Sequence, residues 1–220
     1  MTSLLRSVWR NLLFLSRGNE RYYPASRWDR IYTEGYHLDV PEQDARYGAL
    51  LGLMQRYDGP CHILDVGCGE GILEQKFRRL SSSRMLGIDY SLEAIKLANA
   101  KNIPACEFIC ADYRKCKFQQ RFGIIVFNES LYYVDNVVGT LKQLSQHLAS
   151  DGVFIVSMYD AFDTRHMWGA LSAHFAIPRS IVVVDETHGK KWRIGVLEPE
   201  TRHKSLQQDQ RENKHLEGTD

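Results

Sequence analysis

The chain has 220 residues, of which 44% are hydrophobic and 25% charged, and its formal net charge at neutral pH is +1. That is enough apolar material for one well-buried domain. The balanced charge, with no block of Lys and Arg in the central region, argues against a polyanionic partner, so no nucleic acid is expected. Five cysteines (Cys61, Cys68, Cys106, Cys110 and Cys116) are odd in number and lack C-x-x-C spacing. They read as buried free thiols in a reducing compartment, and no metal site is expected.

Between Ser3 and Arg17, Leu4, Leu5, Val8, Trp9 and Leu12 recur at helical spacing, with Arg6 and Arg10 on the opposite face. The segment is too short and too charged to span a bilayer and lacks a small-residue cleavage site, so the chain is expected to be cytoplasmic. Its amphipathicity leaves two readings, a lid over a ligand pocket or an interfacial helix touching a membrane surface. Arg21 to Tyr36 is rich in aromatics (Tyr22, Tyr23, Trp28, Tyr32, Tyr36), with Pro24 and Gly35 interrupting regular structure. A helix is predicted from about Pro41 to Tyr57, with Pro41 in its first turn and Tyr47, Leu50, Leu51 and Met54 on one stripe. Residues 1–58 thus read as an amino-terminal helical cap.

The run HILDVGCGEG at residues 62–71 is an apolar strand entering a turn with glycine at every second position. Gly67, Gly69 and Gly71 let the backbone bend sharply and approach a ligand before a helix begins. A dinucleotide fingerprint would need glycine at 72, where this chain has Ile72, which argues against a nicotinamide cofactor. A second strand (Met85, Leu86, Ile88) ends at Asp89-Tyr90-Ser91, with Ser91 placed to cap the next helix and Glu93 in its first turn. A third strand is predicted to end on Asp112-Tyr113, and a buried fourth strand, Phe122 to Phe127, leads to the polar tip Asn128-Glu129-Ser130 and then Leu131-Tyr132-Tyr133.

Val137, Leu141, Leu144 and Leu148 mark an amphipathic helix, after which Asp151-Gly152 turns into a fifth strand, Val153 to Tyr159. Thr164 to Phe175 is predicted as a helix. Residues 180–185 and 191–197, joined at Thr187 to Lys190, read as a terminal antiparallel hairpin. Alternating strands and helices give an α/β fold with a mainly parallel sheet and helices on both faces. Residues 59–199 form the expected core, and the polar stretch 200–220 reads as a disordered tail.

In order and spacing, the glycine turn and the three strand ends resemble the class I S-adenosylmethionine-dependent methyltransferases over roughly residues 60–160. The resemblance implies a Rossmann-like seven-stranded sheet of order 3-2-1-4-5-7-6 with strand 7 antiparallel, and S-adenosyl-L-methionine as cofactor. It places Asp65, Gly67, Cys68, Gly69 and Gly71 in the cofactor-binding turn. Asp89 is assigned to the ribose hydroxyls, with Tyr90 beside it. Asp112 is assigned to the adenine amino group, with Ala111 offering a backbone N–H and Tyr113 nearby. Asn128 completes the cofactor set, and amino-terminal helices are expected to cover the cofactor and wall the acceptor site.

Methyl transfer from a sulfonium needs alignment and exclusion of water more than a dedicated base. Glu129, Tyr132 and His166 are the candidates for handling the acceptor. Glu129 reads either as a carboxylate holding or deprotonating an amine, or as a contact to the cofactor's methionine amino group or a salt bridge. His166 competes with a solvated helix histidine. The tip lacks the Asn/Asp-Pro-Pro-Tyr/Phe run that clamps planar nitrogens in base and glutamine methyltransferases, and it lacks an acidic ligand set for magnesium. The tip and terminal hairpin look most like the nodulation-factor amine N-methyltransferases, which implies a small polar acceptor. The alternative is a non-catalytic binding or interaction protein on the same fold.

Overall fold

The computed structural model describes residues 24–35, 43–57 and 62–199. The segment 3–17, the tail 200–220 and Cys61 lie outside the described residues. Seven strands form one sheet, β1 (His62–Val66), β2 (Arg84–Asp89), β3 (Cys106–Cys110), β4 (Phe122–Asn128), β5 (Leu148–Tyr159), β6 (Phe175–Asp185) and β7 (Lys190–Pro199). Their order is β3-β2-β1-β4-β5-β7-β6, as the resemblance implied. Strands β1 to β5 pair in parallel, and β7 runs antiparallel to both β5 and β6.

The central strands are apolar on both faces because both faces are covered. Ile63, Ile124, Val126, Val153 and Ile155 pack against Tyr47, Leu50 and Met54 of helix α2 (Asp44–Tyr57) and Leu73 and Phe77 of α3 (Ile72–Phe77). Their strand neighbours Leu64, Ile125, Phe127, Phe154 and Val156 point the other way. They meet Leu141 and Leu144 of α5 (Val137–Ser145) and Trp168 and Leu171 of α6 (Phe162–Ser172). Helix α4 (Leu92–Ala100) sends Ile95 and Ala98 onto Phe108 and Cys68. Ser91 caps α4 as expected, its hydroxyl accepting the Ala94 N–H at 3.1 Å.

Several boundaries differ from the sequence expectation. Ala25–Thr33 is a helix, α1, flanked rather than interrupted by Pro24 and Gly35: Pro24 sits at the N-cap, where no N–H is needed, and Gly35 follows the last turn with φ 75°. Strand β3 ends at Cys110, two residues short of Asp112, which instead caps a single helical turn, Tyr113–Lys115. Leu148 belongs to β5, whose register shifts across Asp151-Gly152. Phe175 opens β6, which absorbs Pro178 through a register shift between Ala176 and Arg179. Cys110 is exposed and Cys106 and Cys116 are half-buried, so only Cys68 of the described cysteines is a buried thiol.

Candidate active site

The chain runs from β1 to β2 and β3 in one direction and returns to β4 and β5 in the other, so a crevice opens at the carboxyl ends of β1 and β4. The glycine turn occupies it. Gly67, Gly69 and Gly71 have φ of 81°, 55° and 76°, a region that side-chain-bearing residues enter at a cost. A Cβ on Gly67 would lie 2.5 Å from Ser130 Cβ, and one on Gly69 would lie 2.5 Å from the Tyr32 hydroxyl. The N–H groups of Gly67 and Cys68 both donate to Ile88 O (2.8 and 3.1 Å), which stitches the turn to β2. Ser130 Oγ donates to Val66 O at 2.5 Å, which ties in the tip of β4. Cys68 turns its thiol into the apolar cluster with Phe108, where it also donates to Gly69 O at 3.6 Å.

Asp89 bridges turn and strand end. Its Oδ2 accepts the Gly69 N–H and its Oδ1 the Ser91 N–H, each at 2.9 Å. Burial raises its pKa, against the lowering effect of these amide bonds. Two amide donors leave each oxygen a further lone pair, which suits the two neighbouring hydroxyls of a ribose. Asp112 stands beyond it. Its Oδ1 accepts the Tyr90 hydroxyl at 2.8 Å and the Arg114 backbone N–H at 3.0 Å, and the Arg114 guanidinium spans both oxygens at 2.9 Å. Burial opposes ionisation of Asp112, yet these donors bring its pKa down to about 2. It is therefore a fixed anion able to accept from an adenine amino group.

Two neighbours do not take the positions the resemblance gave them. The Ala111 N–H is spent on Asp89 O at 2.9 Å, because the β2–β3 ladder continues one residue past the strand, so it is not offered to an adenine. Tyr113 is buried, with its hydroxyl 3.4 Å from Thr140 Oγ1 on α5, and packs in the core rather than lining the crevice.

At the β4 tip, Glu129 has a positive φ of 57°. Its Oε1 accepts the Ser157 hydroxyl at 2.7 Å, and its Oε2 accepts the Tyr159 N–H at 3.0 Å and the Tyr132 hydroxyl at 3.3 Å. Three donors hold the carboxylate in one orientation at the crevice, on a backbone that is strained for a side-chain-bearing residue. Burial holds the Tyr132 hydroxyl well above its usual pKa, and that hydroxyl donates to Glu129 Oε2. His166 lies exposed on α6, with Nδ1 2.9 Å from Phe162 O and its ring against the Phe162 ring. That is the solvated helix histidine of the two sequence readings.

Three residues that the sequence reading left out of the site complete it. Arg46 is 1% exposed on α2, with Nη1 donating to Asn128 Oδ1 and Nη2 to Gln43 Oε1, while its buried Nε has no partner among the described residues. The signal was present: Arg46 is a charge on the apolar stripe of Leu50 and Leu53, where a cation stands only if something polar meets it. Tyr32 and Asp29 come from α1. Tyr32 reaches over Gly69, and Asp29 Oδ1 accepts the Ser91 hydroxyl at 2.7 Å and the Glu93 N–H at 3.3 Å. Trp28 packs edge-on against Tyr133, with ring centroids 4.9 Å apart. Helix α1 therefore roofs the crevice from the glycine turn to the β4 tip. Among the described residues no group of three or more His, Cys, Asp or Glu could hold a metal, and no helix is long and apolar enough to cross a membrane.

A doubly wound sheet with a positive-φ glycine turn, a strand-end carboxylate on that turn and a second carboxylate beyond it defines a cofactor-binding α/β fold of the methyltransferase type. A family profile described as a methyltransferase domain matches residues 38–206, and the chain belongs to that family. Among curated relatives, the chain is similar to the malonyl-[acyl-carrier protein] O-methyltransferase of Bacillus cereus, 27% identical over 120 residues that cover 52% of this chain and 45% of the relative. It is also similar to the trans-aconitate 2-methyltransferase of Acidovorax sp., 33% identical over 144 residues, covering 60% and 55% respectively. The chain spans about half the length of the curated relatives it matches. Among solved structures, the N-methyltransferase NodS of Bradyrhizobium japonicum in complex with S-adenosyl-L-homocysteine shares the fold, with a TM-score of 0.66 at 18% identity, over 82% of this chain and 98% of that one. S-adenosyl-L-methionine is the family's cofactor, and the glycine cradle and paired strand-end carboxylates described above suit its adenosyl group.

Proposed function

We propose that this chain moves a methyl group from S-adenosyl-L-methionine to a nitrogen or oxygen atom of a small polar acceptor by in-line displacement. The observation that carries this reading is the convergence of Gly69, Asp89 and Asp112 on one crevice, with the Gly69 N–H bound to the Asp89 carboxylate at 2.9 Å. In this reading Asp89 holds the ribose, Asp112 the adenine amino group, and Arg46 the methionine carboxylate through its buried guanidinium. A planar cation with a free Nε suits a carboxylate better than a lysine would.

When bound, the cofactor supplies a methyl group already activated on a sulfonium, so what the chain adds is alignment and exclusion of water. Helix α1 excludes water by roofing the crevice. Glu129, fixed by Ser157, Tyr159 and Tyr132, presents one negative charge to an acceptor ammonium or to the proton it must lose before attack. The curated relatives named above are methyltransferases of a carrier-bound malonyl group and of trans-aconitate, and the structural neighbour is an N-methyltransferase. They support a methyl acceptor of either kind.

Isothermal titration with S-adenosyl-L-homocysteine tests the reading. Stoichiometric binding that weakens at least tenfold in Asp89→Ala supports it, and no binding by folded wild-type protein overturns it. Labelled cofactor with a metabolite extract then separates transfer from binding, because a non-catalytic binding protein leaves no methylated product.

A further inference from the structure

Asp65, near the end of β1, and Glu74, on α3, are 1% and 0% exposed, and none of their four carboxyl oxygens has a hydrogen-bond donor among the described residues. Asp65 is paired with Gly87 across β1 and β2, and the Glu74 carboxyl lies against position 87, which brings the two acids together. The space they occupy exists because position 87 is glycine: a Cβ there would lie 2.9 Å from Glu74 Oε1 and 2.9 Å from Cys68 Sγ. The pair thus sits beneath the glycine turn, between α3 and β2.

The charged and titratable groups around it do not neutralise it. On the Asp65 side stand Arg46 and Tyr47 of α2, Cys68 of the turn, and Asp89 at the end of β2. On the Glu74 side stand Lys101 after α4, Cys106 of β3, Cys68 and Asp89. Of the two cations, Arg46 donates to Asn128 and Gln43, and Lys101 is committed to Glu70 at 3.2 Å. Two adjacent buried carboxylates with no cation committed to them strongly disfavour double ionisation. One carboxylic O–H directed at the facing carboxylate removes the conflict.

We propose that Asp65 and Glu74 hold one proton between them beneath the glycine turn, which makes Glu74 a positioning residue for that turn and couples cofactor binding to release of the shared proton. The coupling rests on the cofactor reading above. A sulfonium brought into the crevice adds positive charge near Asp65 and favours the doubly ionised pair, so the proton leaves to solvent as the cofactor binds. Burial raises the pKa of both carboxyls, Asp65 the further, so a proton stays on the pair at neutral pH. S-adenosyl-L-methionine carries the sulfonium and S-adenosyl-L-homocysteine does not, so the first releases more.

Two measurements test this. Infrared spectra of ligand-free protein at pH 6 are expected to show a protonated carboxyl band that fades at alkaline pH and is missing in Glu74→Gln. Absence of that band in wild-type protein overturns the shared proton, whatever the variant does. Titration calorimetry at pH 7 in buffers of different ionisation enthalpy is expected to show proton release, larger for S-adenosyl-L-methionine, with affinity rising about several-fold from pH 6 to pH 8. In Glu74→Gln the amide N–H keeps a donor on Asp65, so binding persists and the pH dependence disappears; Glu74→Leu, which has no donor, binds more weakly. Binding without proton release overturns the coupling. A carboxyl band in protein that binds neither ligand overturns the cofactor reading and its coupling, and leaves the shared proton demonstrated.

Discussion

Glu129 and Ser157 are joined twice: the Glu129 N–H donates to Ser157 O at 3.0 Å, and the Ser157 hydroxyl donates to Glu129 Oε1 at 2.7 Å. The second bond holds a side chain whose own backbone is in the left-handed region. Glu129→Ala strips acceptors from Ser157, Tyr159 and Tyr132 together and is expected to cost roughly 1–3 kcal/mol in urea unfolding. Glu129→Gln can keep all three contacts if the Ser157 hydroxyl turns to accept from the amide. It is expected to bind S-adenosyl-L-homocysteine within about threefold of wild type while turnover falls at least about tenfold, since the charge that meets the acceptor is gone. Unchanged turnover in Glu129→Gln would confine Glu129 to architecture.

Arg46 is a buried cation held against Asn128 at the end of β4. Arg46→Lys keeps the charge but replaces a planar fork, which meets Asn128 and Gln43 from two nitrogens and keeps a third N–H spare among the described residues, with one compact ammonium. Calorimetry is expected to show S-adenosyl-L-homocysteine binding weakened at least tenfold, about 1.4 kcal/mol, with little change for adenosine, which lacks the carboxylate. Equal losses for both ligands would place Arg46 in the scaffold and not at the ligand.

The Asp112 carboxyl has a folded-state pKa of about 2, below the ordinary carboxylate value, because the Arg114 and Tyr90 donors outweigh its burial. A depressed carboxyl contributes stability that is complete above its unfolded pKa and is lost as pH falls toward the folded value. Arg114→Ala removes the main donors and lets the folded pKa rise. Urea unfolding followed by circular dichroism is expected to show the variant less stable at pH 7, with the difference shrinking as pH falls through the ordinary carboxylate range toward the folded value, and the acid unfolding midpoint moves to higher pH. Coincident acid transitions would show that Arg114 does not hold Asp112 ionised.

Motifs made of neighbouring residues were legible in the sequence. The glycine turn, the Ser91 cap and the central strands each follow from local spacing, and their positions agree with the structure because short-range geometry determines them. What was not legible depends on distant partners. Nothing local says that Arg46 meets Asn128, 82 residues away, or that Asp29 caps a helix through Ser91, 62 residues on. Helix α1 was missed because Pro24 and Gly35 were read as interruptions, although proline before a first turn and glycine after a last one are helix boundaries. Glu74 was passed over because a glutamate in a short helix ordinarily faces water, and only the glycine at position 87 makes room for it inside.

Gly69 and Tyr32 make the roof and the turn interdependent. Alanine at 69 has two separable costs: its Cβ would meet the Tyr32 hydroxyl at 2.5 Å, and its φ of 55° carries a penalty of about 1–2 kcal/mol for a side-chain-bearing residue. Removing the hydroxyl relieves the first cost alone, since the next Tyr32 atom, Cζ, lies 3.5 Å from the added carbon. Gly69→Ala is therefore expected to lower S-adenosyl-L-homocysteine affinity at least tenfold, and Gly69→Ala with Tyr32→Phe to regain part of that loss without reaching wild type. Tyr32→Phe alone keeps the ring packing and is expected to change binding by less than about threefold. The interaction energy from this double-mutant cycle is the measurement. Strict additivity would mean that α1 does not press on the turn in solution, and with it would go the roof that keeps water from the transferring methyl group.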